Sequence, residues 1–138
     1  MPAGGRRAAR ERALSLLYEA EMKDLSPRAV LEQLPTTPDP YVTDRVAGVG
    51  DCVDELDKRL GELSVDWPVD RMPAIDRNIL RLGAFELLRR PDVPVAVAIA
   101  EAVELAKQLS TEESGRFVNG VLAALAAAEG RGAARLDT

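Results

Sequence analysis

Arg6, Arg7, Arg10 and Arg12 fall within a seven-residue stretch that holds one carboxylate, Glu11, so residues 6–12 carry a net charge of +3. The whole chain carries −5, which leaves −8 on the remainder. An acidic body repels phosphate everywhere except at such a basic front, and that asymmetry is the charge pattern of a local nucleic-acid patch. A solvated helix that simply starts with arginines gives the same letters, and charge alone does not separate the two. Binding an unpaired strand also needs flat groups on which bases can lie. Arg7 and Arg10 are three residues apart, and Tyr18 follows two turns later near the same side of a helix. Arg116 and Phe117 supply a second contact if the fold brings the two segments together. Tyr18 and Phe117 serve equally well as core rings.

Catalytic chemistry has little to work with. The chain has no histidine and a single cysteine, Cys52, so an internal disulfide is impossible and a structural zinc site is effectively excluded. Cys52 has no imidazole to activate it and sits inside a helical pattern, which suits a packed thiol better than a nucleophile. There is no glycine-rich phosphate loop with a following lysine, no G-x-G-x-x-G after a strand and no G-x-S-x-G. The acidic pairs Asp54-Glu55 and Glu112-Glu113 are sequence neighbours, so on a helix they diverge by about 100° instead of converging. No catalytic residue, metal or cofactor is expected.

The elements that must position these residues read as helices throughout. Ala9, Ala13, Leu16, Leu17 and Ala20 place one apolar face on a helix over 6–23. Ser26 and Pro27 read as the cap and first position of a short helix ending near Leu34, and Pro35, Pro38 and Pro40 then enforce a loop. Val42, Val46, Val49, Val53, Leu56, Leu60 and Leu63 alternate four and three apart, predicting one helix over 42–63. Residues 64–73, with Trp67-Pro68 and Met72-Pro73, form a linker or short helical turn. After Pro73 comes a central helix with apolar residues on most of its circumference and Arg77 and Arg81 on its wet side. Pro91 to Pro94 interrupts, and a further helix runs to about Leu109 with Ala96, Ile99, Val103 and Ala106 inward. Ser110 and Glu113 have the spacing of a capping box for a last helix over 115–128. Asn119-Gly120 is a hairpin signal when isolated, but Val118, Val121, Leu122 and Leu125 continue at helical spacing around it. From Gly130 a small-residue tail is expected to be disordered. No segment alternates with period two, so the fold class is all-α with six to seven helices. No apolar run is long enough for a bilayer, and no secretory signal precedes the arginines, which predicts a cytoplasmic protein.

Taken together, five stretches resemble the bacterial transcription antitermination factor NusB family. The first is Arg6-Arg7-Ala8-Ala9-Arg10-Glu11-Arg12-Ala13 leading to Leu17-Tyr18-Glu19. The next are Ala74-Ile75-Asp76-Arg77-Asn78-Ile79-Leu80-Arg81 through Phe85-Glu86-Leu87, and Asp92-Val93-Pro94. Ala98-Ile99-Ala100-Glu101-Ala102-Val103-Glu104-Leu105-Ala106-Lys107 and Phe117-Val118-Asn119-Gly120-Val121-Leu122 complete the order across nearly the whole chain. The resemblance implies a single NusB-like domain of two perpendicular three-helix bundles, one over about 6–63 and one over about 73–128, and a helical Asn119-Gly120. It implies a factor that pairs with NusE, a small-subunit ribosomal protein, and holds the single-stranded boxA element of ribosomal RNA leaders. RNA polymerase then reads through terminators, and rRNA maturation is assisted. By matching position, Arg6, Arg7 and Arg10 form the RNA arm with Arg12 beside them, and Tyr18 and Phe117 lie on the nucleic-acid or partner surface flanked by Glu113 and Arg116. Asp76, and more weakly Glu86, fall near the NusE surface. The chain departs from the family in being short between the second and third helices and in having no lysine in the arm.

A purely protein-binding scaffold is the rival reading, including the NusB-like domain that precedes the catalytic domain of some rRNA cytosine methyltransferases; no methyltransferase sequence follows here. RNA titration separates the two. If the four arginines each neutralise one phosphate, log K against log salt for boxA-like RNA has a slope of about −3, and alanine at Arg6, Arg7 and Arg10 flattens it. A scaffold shows no RNA term.

Overall fold

The computed structural model describes residues 3–64 and 67–131 and is helical throughout that range, with no strand among the described residues. Helices α1 (Ala3–Met22), α2 (Pro27–Glu32) and α3 (Pro40–Asp51) pack together in a compact unit that ends at Val53. A second unit begins at Asp54 and holds α4 (Val53–Leu63), a 3-10 turn at Val69–Arg71, α5 (Ala74–Arg89), α6 (Val95–Leu109) and α7 (Glu112–Ala128). Among the described residues no helix is long and apolar enough to cross a membrane.

In the first unit the chain breaks where the sequence says it must. α1 ends in a Schellman turn: Leu25 N–H reaches Ala20 O at 2.8 Å, Asp24 N–H reaches Glu21 O at 3.2 Å, and Asp24 takes the left-handed φ of 56°. Ser26 then caps α2, its hydroxyl accepting from Ala29 N at 3.1 Å, with Pro27 in the first turn, where a missing N–H costs nothing. Asp39 and Pro40 repeat the device for α3, the carboxylate accepting from Tyr41 N at 2.7 Å. Gly50 lets α3 approach α2, since a Cβ there would lie 2.9 Å from Pro27 Cγ.

The expected single helix over 42–63 is two helices. Cys52 leaves helical geometry at φ −125°, ψ 24°, and its thiol donates to Gly48 O at 3.2 Å. Gly48, Gly50 and Cys52 concentrate weak helix formers at this point, and Asp54 and Glu55 favour a fresh N-terminus immediately after it. Of the seven apolar positions, Val42, Val46 and Val49 are buried on α3 and Leu56 and Leu60 on α4, while Val53 and Leu63 are half-buried.

In the second unit α5 is the central helix, buried from Asn78 to Leu87 except at Arg81. The wet face predicted for Arg77 and Arg81 is corrected: both are half-buried and committed. Arg77 Nη1 donates to Val69 O at 3.0 Å and Met72 O at 2.8 Å, closing the 3-10 turn. Arg81 grips both oxygens of Asp57 on α4 at 2.7 Å, a bidentate pair of the strong kind. Arg89 and Glu55 form a second α5–α4 ion pair, and Arg59 pairs with Glu129 just past α7.

Of the four residues expected inward on α6, Ala106 is buried and the other three are not. Val95, Ala98, Ala102, Leu105 and Ala106 are buried, Ala96 is exposed, and Ile99 and Val103 are half-buried. α7 starts earlier than predicted, and its cap is Thr111 instead of Ser110: Thr111 Oγ1 accepts from Ser114 N at 2.9 Å. Asn119 and Gly120 are helical and exposed. The tail expected from Gly130 is corrected at its first step, because Arg131 donates to Leu87 O at 2.9 Å, Pro91 O at 3.3 Å and Val93 O at 2.9 Å. Residues 132–138 lie outside the described residues.

Two helical glycines on facing elements predict opposite outcomes. A Cβ at Gly83 would come within 2.6 Å of Leu122 Cδ1 in a filled core, whereas one at Gly120 meets nothing within 4 Å. Gly83→Ala is expected to cost ~1–3 kcal/mol by overpacking, and Gly120→Ala to add up to ~1 kcal/mol through helix propensity, both read from urea midpoints.

Candidate nucleic-acid and partner interface

At the front of α1, Arg6, Arg7 and Arg12 are exposed, but Arg10 is 4% exposed. The expectation that Arg10 stands in the arm as a solvent-facing cation is therefore corrected. Its position explains this: residues 10, 13, 14 and 17 share one helical stripe, and Ala13, Leu14 and Leu17 are the core of the first unit.

The group that receives Arg10 is Tyr41, at the start of α3. Guanidinium carbons lie 3.6 Å (Arg45), 4.8 Å (Arg6) and 5.6 Å (Arg10) from its ring centroid, within reach of the attraction between a cation and a ring face. Arg45 Nη2 also donates to Tyr41 Oη at 2.7 Å and Nη1 to Asp44 Oδ2 at 2.8 Å, which fixes the ring. Three positive groups are thus held around one half-buried ring, with the Arg6 side chain on the solvent side. Sequence reasoning missed Tyr41. The Tyr41–Arg45 spacing of one helical turn after a Pro40 helix start was the available signal.

Further along α1, Tyr18 is exposed and falls within about 20° of Arg7 around the helix, roughly 16 Å along its axis. Met22, 54% exposed, extends the same side by one turn. This face offers a cation, then a ring, then a soft apolar group, in a row.

In the second unit the first two turns of α7 present Glu113 and Arg116 to solvent. Phe117 is half-buried, and Trp67 packs against it with ring centroids 4.9 Å apart at 64°, an edge-to-face pair. Trp67, read from sequence only as part of a linker, is what braces that ring.

Asp76 and Glu86, expected near a partner surface, are both inside. Asp76 is 0% and Glu86 1% exposed, so neither carboxylate lies at the surface to meet a partner. The cause is α5 itself, whose central position buries ten of its sixteen residues, these two among them. Asp76 Oδ2 accepts from Ser114 Oγ at 2.7 Å, and Oδ1 is buried without a hydrogen-bond partner. Among the described residues no three carboxylate or thiol groups converge as a metal site would need.

The family model described as the NusB family matches residues 7–127. The transcription antitermination protein NusB of Kineococcus radiotolerans is 47% identical over 125 residues, covering 88% of this chain and 92% of that protein. Its counterpart in Thermobifida fusca is 45% identical over 126 residues, 88% of this chain and 89% of that one. Among solved structures, T. maritima NusB superposes with a TM-score of 0.78 at 32% identity, covering 91% of each chain. A chain from a crystal structure of antitermination factors NusB and NusE in complex with double-stranded RNA superposes with a TM-score of 0.74 at 27% identity, covering 92% of this chain and 99% of that one. With its all-α fold and the Phe117-Val118-Asn119-Gly120-Val121-Leu122 stretch on α7, this chain belongs to the NusB family.

Proposed function

We propose that this chain is a transcription antitermination factor that binds boxA-type single-stranded RNA of ribosomal RNA leaders together with NusE. It acts in the cytoplasm by binding, not by catalysis, within an antitermination complex on RNA polymerase, and it supports rRNA maturation. The observation that carries this is the front of the first unit: Arg6, Arg7 and Arg12 are exposed on α1, and Arg6 lies over a tyrosine that Arg10 and Arg45 also face. The antitermination names of its relatives, and the NusE and RNA that accompany one structural neighbour, support the same reading.

The physical mechanism is division of labour. Arg6, Arg7 and Arg12 displace counterions from phosphates, a sequence-independent attraction that weakens steeply with salt. Tyr18, exposed on the same side as Arg7, offers a face to an unstacked base. Tyr41 and the buried Arg10 hold the arm's root, so that Arg6 is oriented before RNA arrives and loses less freedom on binding. Arg116, Phe117 and Glu113 on α7 provide the second face for RNA or NusE. Asp76 and Glu86 are too deeply buried to meet RNA or NusE directly.

With Arg10 withdrawn from phosphate, the arm supplies three contacts, and the salt slope for single-stranded boxA-like RNA is expected to be about −2. Titrating labelled RNA against the chain with and without NusE at several salt concentrations measures it. Arg6→Ala with Arg7→Ala should make the slope shallower by about 1.4. No RNA binding in either titration refutes the proposal in favour of a protein scaffold, and an unchanged slope refutes the arm. Running the matched duplex in parallel tests the choice of a single strand.

Tyr41→Leu separates orientation from charge. It keeps every arginine, so the slope should stay near that of the unsubstituted chain while affinity drops several-fold, on the order of 1 kcal/mol. Affinity equal to wild type would show that the ring is packing alone.

A further inference from the structure

Asp76 is the third residue of α5, the position from which an acidic side chain normally reaches back to the N–H of the capping residue. Here the cap is Pro73, which has no N–H, so that bond cannot form. The carboxylate turns across the unit instead and accepts from the hydroxyl of Ser114, the third residue of α7. Ser114 is in turn held by the cap of its own helix. Its N–H donates to Thr111 Oγ1 at 2.9 Å, and its Oγ lies 3.0 Å from the hydroxyls of both Thr111 and Ser110. One buried carboxyl group therefore links the first turns of two helices.

The fold bears a cost for this arrangement. Asp76 is fully buried, and its Oδ1 has no hydrogen-bond partner, which an apolar side chain at the same place would avoid. What the arrangement secures lies one turn further on. Arg116 and Phe117 come two and three residues after Ser114, and Phe117 meets Trp67 edge to face. The same turn is closely packed on its other side, where a Cβ at Gly115 would lie 2.9 Å from Lys107 Cγ. A helix start fixed by a buried hydrogen bond holds its rotation about its own axis, and hence the direction in which Arg116 and Phe117 leave it.

We infer that Asp76 is a positioning residue: by holding Ser114 it sets the first turn of α7 and so aims Arg116 and Phe117 at the RNA or NusE that this face meets. The inference rests on the proposed RNA- and NusE-binding role, but its geometric half can be read without it. The chain's only tryptophan, Trp67, touches Phe117, so its emission reports the placement of that ring.

The test uses the full chain with Asp76→Ala, Asp76→Asn, Ser114→Ala and the Asp76→Ala/Ser114→Ala pair, at a temperature where all are folded by far-UV circular dichroism. Phe117→Leu gives the emission change that marks loss of the ring contact. Asp76→Ala should shift Trp67 emission toward that of Phe117→Leu and weaken binding of boxA-like RNA in the presence of NusE on the order of tenfold, with the salt slope unchanged. Asp76→Asn retains an oxygen for Ser114 and should restore both readouts to within about twofold. Ser114→Ala should match Asp76→Ala, and the pair should be no worse than either alone. The inference is overturned if Asp76→Ala leaves Trp67 emission at the wild-type position, if asparagine does not rescue, or if the two single losses add. A wild-type chain that binds no RNA overturns the functional reading instead, and the emission series still decides the positioning claim.

Discussion

A helix buried around most of its circumference leaves its polar groups no water to turn to, and α5 is such a helix. Asp76, Asn78 and Glu86 lie inside with it, and Arg77 and Arg81 are half-covered. Each must find its partner within the protein, because an unpaired polar group in the interior costs more than most single contacts return. Those demands shape the second unit. Arg81 fixes α4 through Asp57, Arg77 closes the 3-10 turn, Asn78 donates to Ala74 O at 2.9 Å, and Asp76 reaches α7. Gly83 allows Leu122 of α7 close enough to seal the interior. The position of α7, and with it the exposed Arg116, follows from what α5 needs.

The first unit solves a different problem, which is how to keep like charges together. Arginines repel one another, and an arm of them left in water samples many arrangements. Tyr41 supplies a negative ring face to three guanidinium groups, while Asp44 offsets one of them. Positive charge is therefore concentrated at the front of α1, and such a concentration attracts a phosphate backbone to an otherwise acidic protein.

How far these features could be read from the letters depended on how local their causes are. The four-three spacing identified the buried valines of α3 and the buried leucines of α4 although the helix breaks between them, since burial follows periodicity and the break follows from the weak helix formers around Cys52. The α2 and α3 starts were legible because Ser26-Pro27 and Asp39-Pro40 act within three residues. On α6 alanine and valine alternate so evenly that several registers are equally apolar, and only the packing against its neighbours selects one. The cap expected at Ser110 falls one residue later at Thr111, a choice made by backbone geometry that a sequence does not display. The arm was found, but Arg10 was counted with it although its stripe with Ala13, Leu14 and Leu17 pointed inward. Pairs such as Asp76 with Ser114, 38 residues apart, have no local signature at all.

The burial of Arg10 makes four similar letters unequal under substitution. Lysine carries the same charge on a compact, strongly hydrated ammonium that resists leaving water and cannot lie flat on a ring. At positions 6, 7 and 12, where water remains available, an exchange for lysine keeps the attraction for phosphate; at position 10 it forfeits both the packing and the contact with Tyr41. A basic cluster that looks interchangeable by charge thus contains one site whose tolerance is that of an interior residue.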